Sequence, residues 1–100
     1  MQGLQVPIGY VYMMANKKDG SIYIGVTSNL INRVYQHKAK LVKSHTQKYN
    51  INLLVYYEVH DEIGSAIERE KKLKRWRRSW KCQLIEKQNP DWLDLYQEIL

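Results

Sequence analysis

Phenylalanine is absent from this chain of 100 residues, cysteine occurs once, and no apolar run approaches the roughly 20 residues that a membrane-spanning helix needs. The lone Cys82 closes no intramolecular disulfide, so a reducing, cytoplasmic setting is expected. The N-terminal "MQGLQVP" lacks both the charge and the apolar stretch of a signal peptide. Cys and His at zinc-ligand spacing are missing, as are a glycine-rich phosphate loop and a serine nucleophile elbow. Repeats, low-complexity segments and linkers are missing too. One domain is therefore expected over residues 8–100, behind a flexible lead-in at 1–7.

What is present is aromatic and basic. The composition, 44% hydrophobic and 26% charged, is that of an ordinary globular chain. Eight tyrosines stand where phenylalanines could have served, although a core needs aromatic area and no phenol oxygen. Net charge is +6, and seven of the sixteen basic residues fall within "KKLKRWRRSWK" (71–81). The segment "PDWLDLYQE" (90–98) instead carries three acids and no base. The basic block is either a face for a polyanion or a solvated helix surface.

Periodicity places the elements. "YVYMMA" (10–15) and "IYIGVT" (22–27) are short and β-prone, and Asp19-Gly20 between them is a hairpin turn signal. Ser28 and Asn29 can cap a helix running to Ala39 or Leu41. "SHTQKYN" reads as a loop, and "INLLVYYEV" (51–59) as a third strand with a buried middle. A helix from Ile63 to Lys74 follows, then another through "WKCQLIEK", which Asn89-Pro90 ends. "DWLDLYQEIL" closes the chain as a short helix. The order ββαβααα predicts an α/β (α+β) domain with a three-stranded, mainly antiparallel sheet flanked by helices.

Several polar groups fall on faces that should be apolar. Tyr10 and Tyr12 share one face of their strand, as Tyr23 and Gly25 do of theirs. If the hairpin register puts both pairs on one side, the glycine leaves room for a ligand backbone to come close; otherwise these are tyrosines that simply suit a sheet. At about 100° per residue, His37 lies inside the stripe of Leu30, Val34 and Leu41, with Arg33 at its border. One turn apart, Arg33 and His37 can act on one point. In the second long helix Glu70 alone among the charged residues turns toward the stripe of Ala66 and Leu73. A buried carboxylate must be paired, protonated or bound to a metal, and the plain alternative is a Glu70–Arg33 ion pair. Trp76 and Trp80 could stack on bases, but both fall on the inward side if the helix runs on unbroken, which predicts core packing. His45 and His60 read as ordinary surface residues.

Two phenols, a guanidinium, an imidazole and a carboxylate are the parts that phosphodiester hydrolysis asks for. One carboxylate with substrate oxygens and waters suits a single hard divalent ion, whereas two-metal chemistry needs more converging acids. At these residues the chain resembles the GIY-YIG endonuclease superfamily. "YVY" (10–12) stands at the first motif and "YIG" (23–25) matches the second. "LINRVYQHK" and "AIEREKKLKRW" resemble the helices bearing the family's Arg, His and Glu, and "LIE" and "NPDW" make it similar to small stand-alone bacterial members. The resemblance implies that Tyr12 activates or orients the attacking water, with Tyr23 in the same network. It implies that Arg33 neutralises the scissile phosphate and that His37 assists proton transfer or orients Tyr12. Glu70 would hold one Mg²⁺ or Mn²⁺, and Asn89 would match a late polar residue.

Two departures bear on the substrate. Tyr10 stands where the first motif has glycine, and no additional DNA-binding domain is present within the chain. Target choice then rests on Gly25 and on Lys71, Lys74, Arg75, Arg77, Arg78 and Lys81, or on a targeting protein partner. The leading expectation is a divalent-metal-dependent endonuclease acting on DNA. The alternatives are a binding module that grips nucleic acid without cutting, and a structural subunit of a larger complex.

Overall fold

The computed structural model describes residues 8–41 and 49–100. Among the described residues, three strands and four helices follow in the order β1 (Gly9–Ala15), β2 (Ile22–Thr27), α1 (Leu30–Lys38), β3 (Leu53–His60), α2 (Ile63–Arg75), α3 (Arg78–Gln88) and α4 (Tyr96–Ile99), as the sequence pattern predicts. The strands form one antiparallel sheet in the order β2-β1-β3. The lead-in, His45 and residues 44–48 of the predicted loop lie outside the described residues. Among the described residues, no helix is long and apolar enough to cross a membrane.

β1 is the central strand, which explains why it is apolar without alternation: Val11 to Ala15 are all buried, because both faces are covered. Val11, Met13 and Ala15 pack with Ile24, Val55, Ala66, Leu73, Ile85 and Trp92. Tyr12 and Met14 point the other way, among Leu30, Val34, Ile51 and Leu54. The sheet therefore divides the domain, with α1 and α4 on one face and α2 and α3 on the other. At Gly9 an added Cβ would lie 2.8 Å from the Ala66 Cβ and 3.0 Å from the Glu62 carbonyl oxygen. The start of α2 thus rests directly on the β1 backbone, which only a bare glycine permits.

Local chemistry sets the element ends. Asp19, at φ 59°, and Gly20 turn the hairpin, and the Arg78 guanidinium donates to both of their carbonyl oxygens at 2.7 Å. The Asn29 side chain caps α1 by accepting from the Asn32 N–H at 3.1 Å. Lys40, at φ 59°, stops that helix early, so Leu41, expected in its apolar stripe, is exposed.

Two expectations fail near the C-terminal end. The chain is extended at Trp76 and Arg77, with ψ of 149° and 156°, so α3 restarts in a new phase. Trp76 is half-buried, but Trp80 is turned outward and 46% exposed instead of packing in the core. The closing helix shrinks to Tyr96–Ile99 because residues 91–95 are held elsewhere. The Leu95 N–H donates to the Leu54 carbonyl at 2.7 Å, and the Leu54 N–H to the Asp94 carboxylate at 3.1 Å. The tail thus lies along the start of β3.

Candidate active site

Strand register brings the first residues together. Tyr12 pairs with Gly25 and Met14 with Tyr23, so both phenols and the glycine share the face that α1 covers. Leu30 and Val34 bury the apolar side of α1 against that face and carry Arg33 and His37 with them. The Tyr12 hydroxyl lies 3.0 Å from His37 Nε2, and both groups are buried. The Tyr23 ring stands 6.2 Å from that of Tyr12 and 5.1 Å from the imidazole, centre to centre. Arg33 reaches both phenols, and its Nη1 donates to the Gln36 side chain at 3.0 Å. Four of the six predicted catalytic side chains thus meet in one cluster.

The electrostatics of this cluster are set by burial without an anion. Burial, reinforced by the neighbouring Tyr23 phenol, pushes Tyr12 well above the ordinary phenol value, against the lowering effect of Arg33. Its hydrogen bond to Tyr12 raises Arg33 further, so the guanidinium stays charged. His37 is pushed down to about 4, first by burial and then by the Arg33 charge. At neutral pH the imidazole is neutral and the phenol keeps its proton. Among the described residues, no carboxylate pairs with Arg33.

Gly25 is not open space for a nucleic-acid backbone. An added Cβ would meet the Tyr12 hydroxyl at 2.5 Å and its Cζ at 2.6 Å. The space over Gly25 is filled by the phenol across the strand pair, so the glycine acts as the bed that lets Tyr12 lie flat.

Glu70 and Asn89 have their bonding partners outside the four. Glu70 belongs to α2, on the other face of the sheet, and its side chain is only 12% exposed. Its ion-pair partner is Lys74, at 2.7 Å one turn on, and not Arg33. Asn89 is buried, and both its amide hydrogens are taken, by the Val55 carbonyl at 3.0 Å and the Leu93 carbonyl at 2.9 Å. Its Oδ1 accepts the Leu93 N–H at 2.9 Å. These bonds pin the turn after α3 to β3.

The basic segment is not a uniform solvated strip either. Lys71 and Arg75 are exposed. Arg78 is occupied with the hairpin turn, Lys81 donates to the Lys74 carbonyl at 3.3 Å, and Arg77 stands 4.7 Å over the Trp80 ring. Among the described residues, no three His, Cys, Asp or Glu side chains cluster to hold a metal ion by themselves. Glu70 could offer an ion one carboxylate, and only a Mg²⁺-like ion that keeps its waters suits so few protein ligands.

A second polar cluster escaped the sequence reading. Glu58 accepts two hydrogen bonds from Arg69 Nε, at 3.1 and 3.0 Å, and a third from Arg69 Nη2 at 2.9 Å. It also bonds the Tyr56 hydroxyl and, at 3.0 Å, His60 Nε2. Burial raises the Glu58 carboxyl, but Arg69, Tyr56 and His60 together outweigh it and hold it below the usual carboxylate range. Tyr56, Glu58 and His60 alternate along β3 and so share a face. That spacing was the available signal, and His60 is not the plain surface residue expected.

Comparison with known proteins bears on the family and the fold. The model of the GIY-YIG catalytic domain matches residues 8–83. A UPF0213 protein of Staphylococcus haemolyticus is 34% identical over 77 residues, covering 77% of this chain and 93% of its own. Another, from Syntrophus aciditrophicus, is 34% identical over 83 residues, 82% of this chain and 93% of its own. The solution NMR structure of a UPF0213 protein from Bacillus halodurans superposes with a TM-score of 0.51 at 27% identity, over 81% of this chain and 85% of that one.

Proposed function

The chain belongs to the GIY-YIG catalytic-domain family, which carries a nuclease-type function in general terms, and we propose that it is a divalent-metal-dependent endonuclease that hydrolyses phosphodiester bonds in DNA. The observation that carries this reading is the buried Tyr12–His37 hydrogen bond beside an Arg33 that has no carboxylate partner among the described residues. A guanidinium left unpaired next to two phenols is a receptor for an anion, and a phosphate oxygen is the anion it fits.

Proton flow follows from the resting charges. A water approaching the bound phosphate gives its proton to the Tyr12 oxygen while Tyr12 gives its own to His37. This requires the His37 tautomer with its proton on Nδ1 and an unprotonated Nε2 that accepts from the Tyr12 hydroxyl. Arg33 is the second cause of the low His37 value, so a phosphate seated on Arg33 offsets that charge and makes His37 more basic when substrate is present. The switch removes the need for a phenolate in the free protein. Tyr23, whose ring packs beside both Tyr12 and the imidazole, orients Tyr12.

Glu70 would hold the metal, one Mg²⁺ or Mn²⁺, which when bound supplies positive charge to the phosphate. α1 and α2 cover opposite faces and β2 is the edge strand nearer α2. A substrate that engages both Arg33 and Glu70 therefore wraps the β2 edge, displacing Lys74 from Glu70. The test is nicking of supercoiled or branched DNA with Mg²⁺ or Mn²⁺. Tyr12→Phe and Glu70→Ala should each lower the rate by at least about a hundredfold; nicking that survives both substitutions rejects these roles.

One observation favours a second reading. Glu70 is already neutralised by Lys74 on the far face of the sheet, as in a module that binds nucleic acid without a metal. That reading requires salt-sensitive binding that persists in EDTA with no cleavage by the purified protein.

A further inference from the structure

The outward side of α3 carries side chains that the fold uses in part or not at all: Leu84 and the neighbouring Trp76 rest partly on the core, while Trp80, Gln83 and Lys87 are exposed. Ile85 is buried against the sheet and Cys82 is half-buried, while Trp80, Gln83, Leu84 and Lys87 recur at three- and four-residue spacing on the other side. Together with Trp76 these four line a cleft of about 460 Å³. Trp76 and Trp80 meet edge to face at 5.9 Å, and the Arg77 guanidinium, outside the cleft, covers Trp80 at 4.7 Å. Trp92 shows what this chain does with an indole that serves the core: it is 2% exposed, and its Nε1 donates to Glu86 at 2.7 Å. Trp80 is exposed to 46%.

We infer that this cleft is a stacking site for an unpaired nucleobase, so that the substrate carries a single-stranded or splayed segment. The inference rests on the nucleic-acid reading above and adds the substrate's form. Charge complementarity selects the occupant: the chain carries +6, the cleft wall includes Lys87 and no acid, and Arg77 backs the indole. A base on Trp80 completes a sandwich with Arg77. The Gln83 amide, with both donor and acceptor, stands on the same stripe for a base edge, and Lys87 for the adjoining phosphate. A duplex keeps its base faces stacked on one another and offers none to Trp80. Each base so held strengthens binding by about fivefold to a hundredfold.

The experiment is titration of intrinsic tryptophan fluorescence with a short oligothymidylate and with a duplex of equal length, in EDTA so that cutting does not enter. The expected result is saturable quenching with a preference for the single strand. Trp80→Ala should weaken single-strand binding, followed by anisotropy of a labelled strand, by about tenfold while duplex binding changes far less. Trp80→Phe should keep most of the preference. The pair Gln83→Ala and Lys87→Ala, both at exposed positions, should reduce it without risk to the fold. Equal losses for single strand and duplex, or single-strand affinity indifferent to all these substitutions, overturn the stacking site even if the wild type nicks DNA. A wild type that binds neither oligonucleotide rejects the nucleic-acid reading itself. Occupation of the cleft by an apolar peptide and by no oligonucleotide assigns it to a protein partner and also overturns the inference.

Discussion

Two clusters in this domain are built around a buried tyrosine and an arginine, on opposite faces of one sheet, and they differ in a single component. Around Tyr56 the arginine, Arg69, has its carboxylate in Glu58. Around Tyr12 the arginine, Arg33, has phenols and a neutral imidazole. The first cluster is complete: charge is balanced inside the protein, and β3 is fastened to α2. In the second the fold holds a cation among desolvated polar groups and leaves the anion out. Burial and perturbed protonation are common to both, so neither marks a site alone. The unbalanced charge does.

The largest test of that contrast is a pair of stability measurements. Glu58→Ala strands Arg69 and removes the partner of Tyr56, so a loss of about 3 kcal/mol is expected in denaturant unfolding. Arg33→Ala removes no ion pair among the described residues and should change stability by less than about 1 kcal/mol. Equal losses would mean that Arg33 is a structural residue and that the second cluster is as complete as the first.

Protonation separates the clusters by pH. His37 lies at about 4 in the folded chain against 6.5 in the unfolded, so between these values the unfolded state binds the extra proton. Stability therefore falls as pH drops from about 6.5 to 4, by at most about 3 kcal/mol. Glu58 is held below its ordinary value of 4.5. Its contribution is present above 4.5 and is lost only as pH falls below that, through its folded value. Two limbs are expected in stability against pH, and His37→Gln should flatten the upper one alone. A single limb below 4.5 in the wild type would show that His37 is not held neutral by its surroundings.

How much of this was legible depended on whether sequence distance and spatial distance matched. Short β-prone runs and Asp19-Gly20 specify the hairpin locally, and Arg33 and His37 sit one turn apart on an amphipathic helix, so both could be read directly. Trp80 could not, because a two-residue extended break at Trp76 and Arg77 reset the helical phase on which its orientation was reckoned. The shortened closing helix had a similar cause: Asp94 and Leu95 bond to the backbone of Leu54, 40 residues earlier in the case of Asp94, and such long-range pairing overrides local propensity. The Glu58–Arg69 clasp joins a strand to a helix 11 residues on, and neither period reveals a partner on another element.

Gly25 sharpens the contrast at its finest scale. The glycine was read as vacant space for a ligand, and only the register pairing it with Tyr12 shows what fills it. The completed cluster needs no such bed, whereas Tyr12 can reach His37 because Gly25 presents no side chain. Gly25→Ala would put a Cβ 2.5 Å from the hydroxyl and 2.9 Å from Cε1 of a ring that is wholly buried and cannot swing aside freely. The ring must shift, the 3.0 Å bond to His37 is lost, and a destabilisation of about 1–3 kcal/mol is expected. Gly64, with nothing within 4 Å of an added Cβ, is the control: Ala there sits in α2 and should raise stability by up to about 1 kcal/mol. The two thermal midpoints should move in opposite directions, and nicking should fail only in Gly25→Ala. If both variants melt and cut alike, the phenol does not depend on the bare backbone beneath it, and Tyr12 is held in place by the packing of α1 alone.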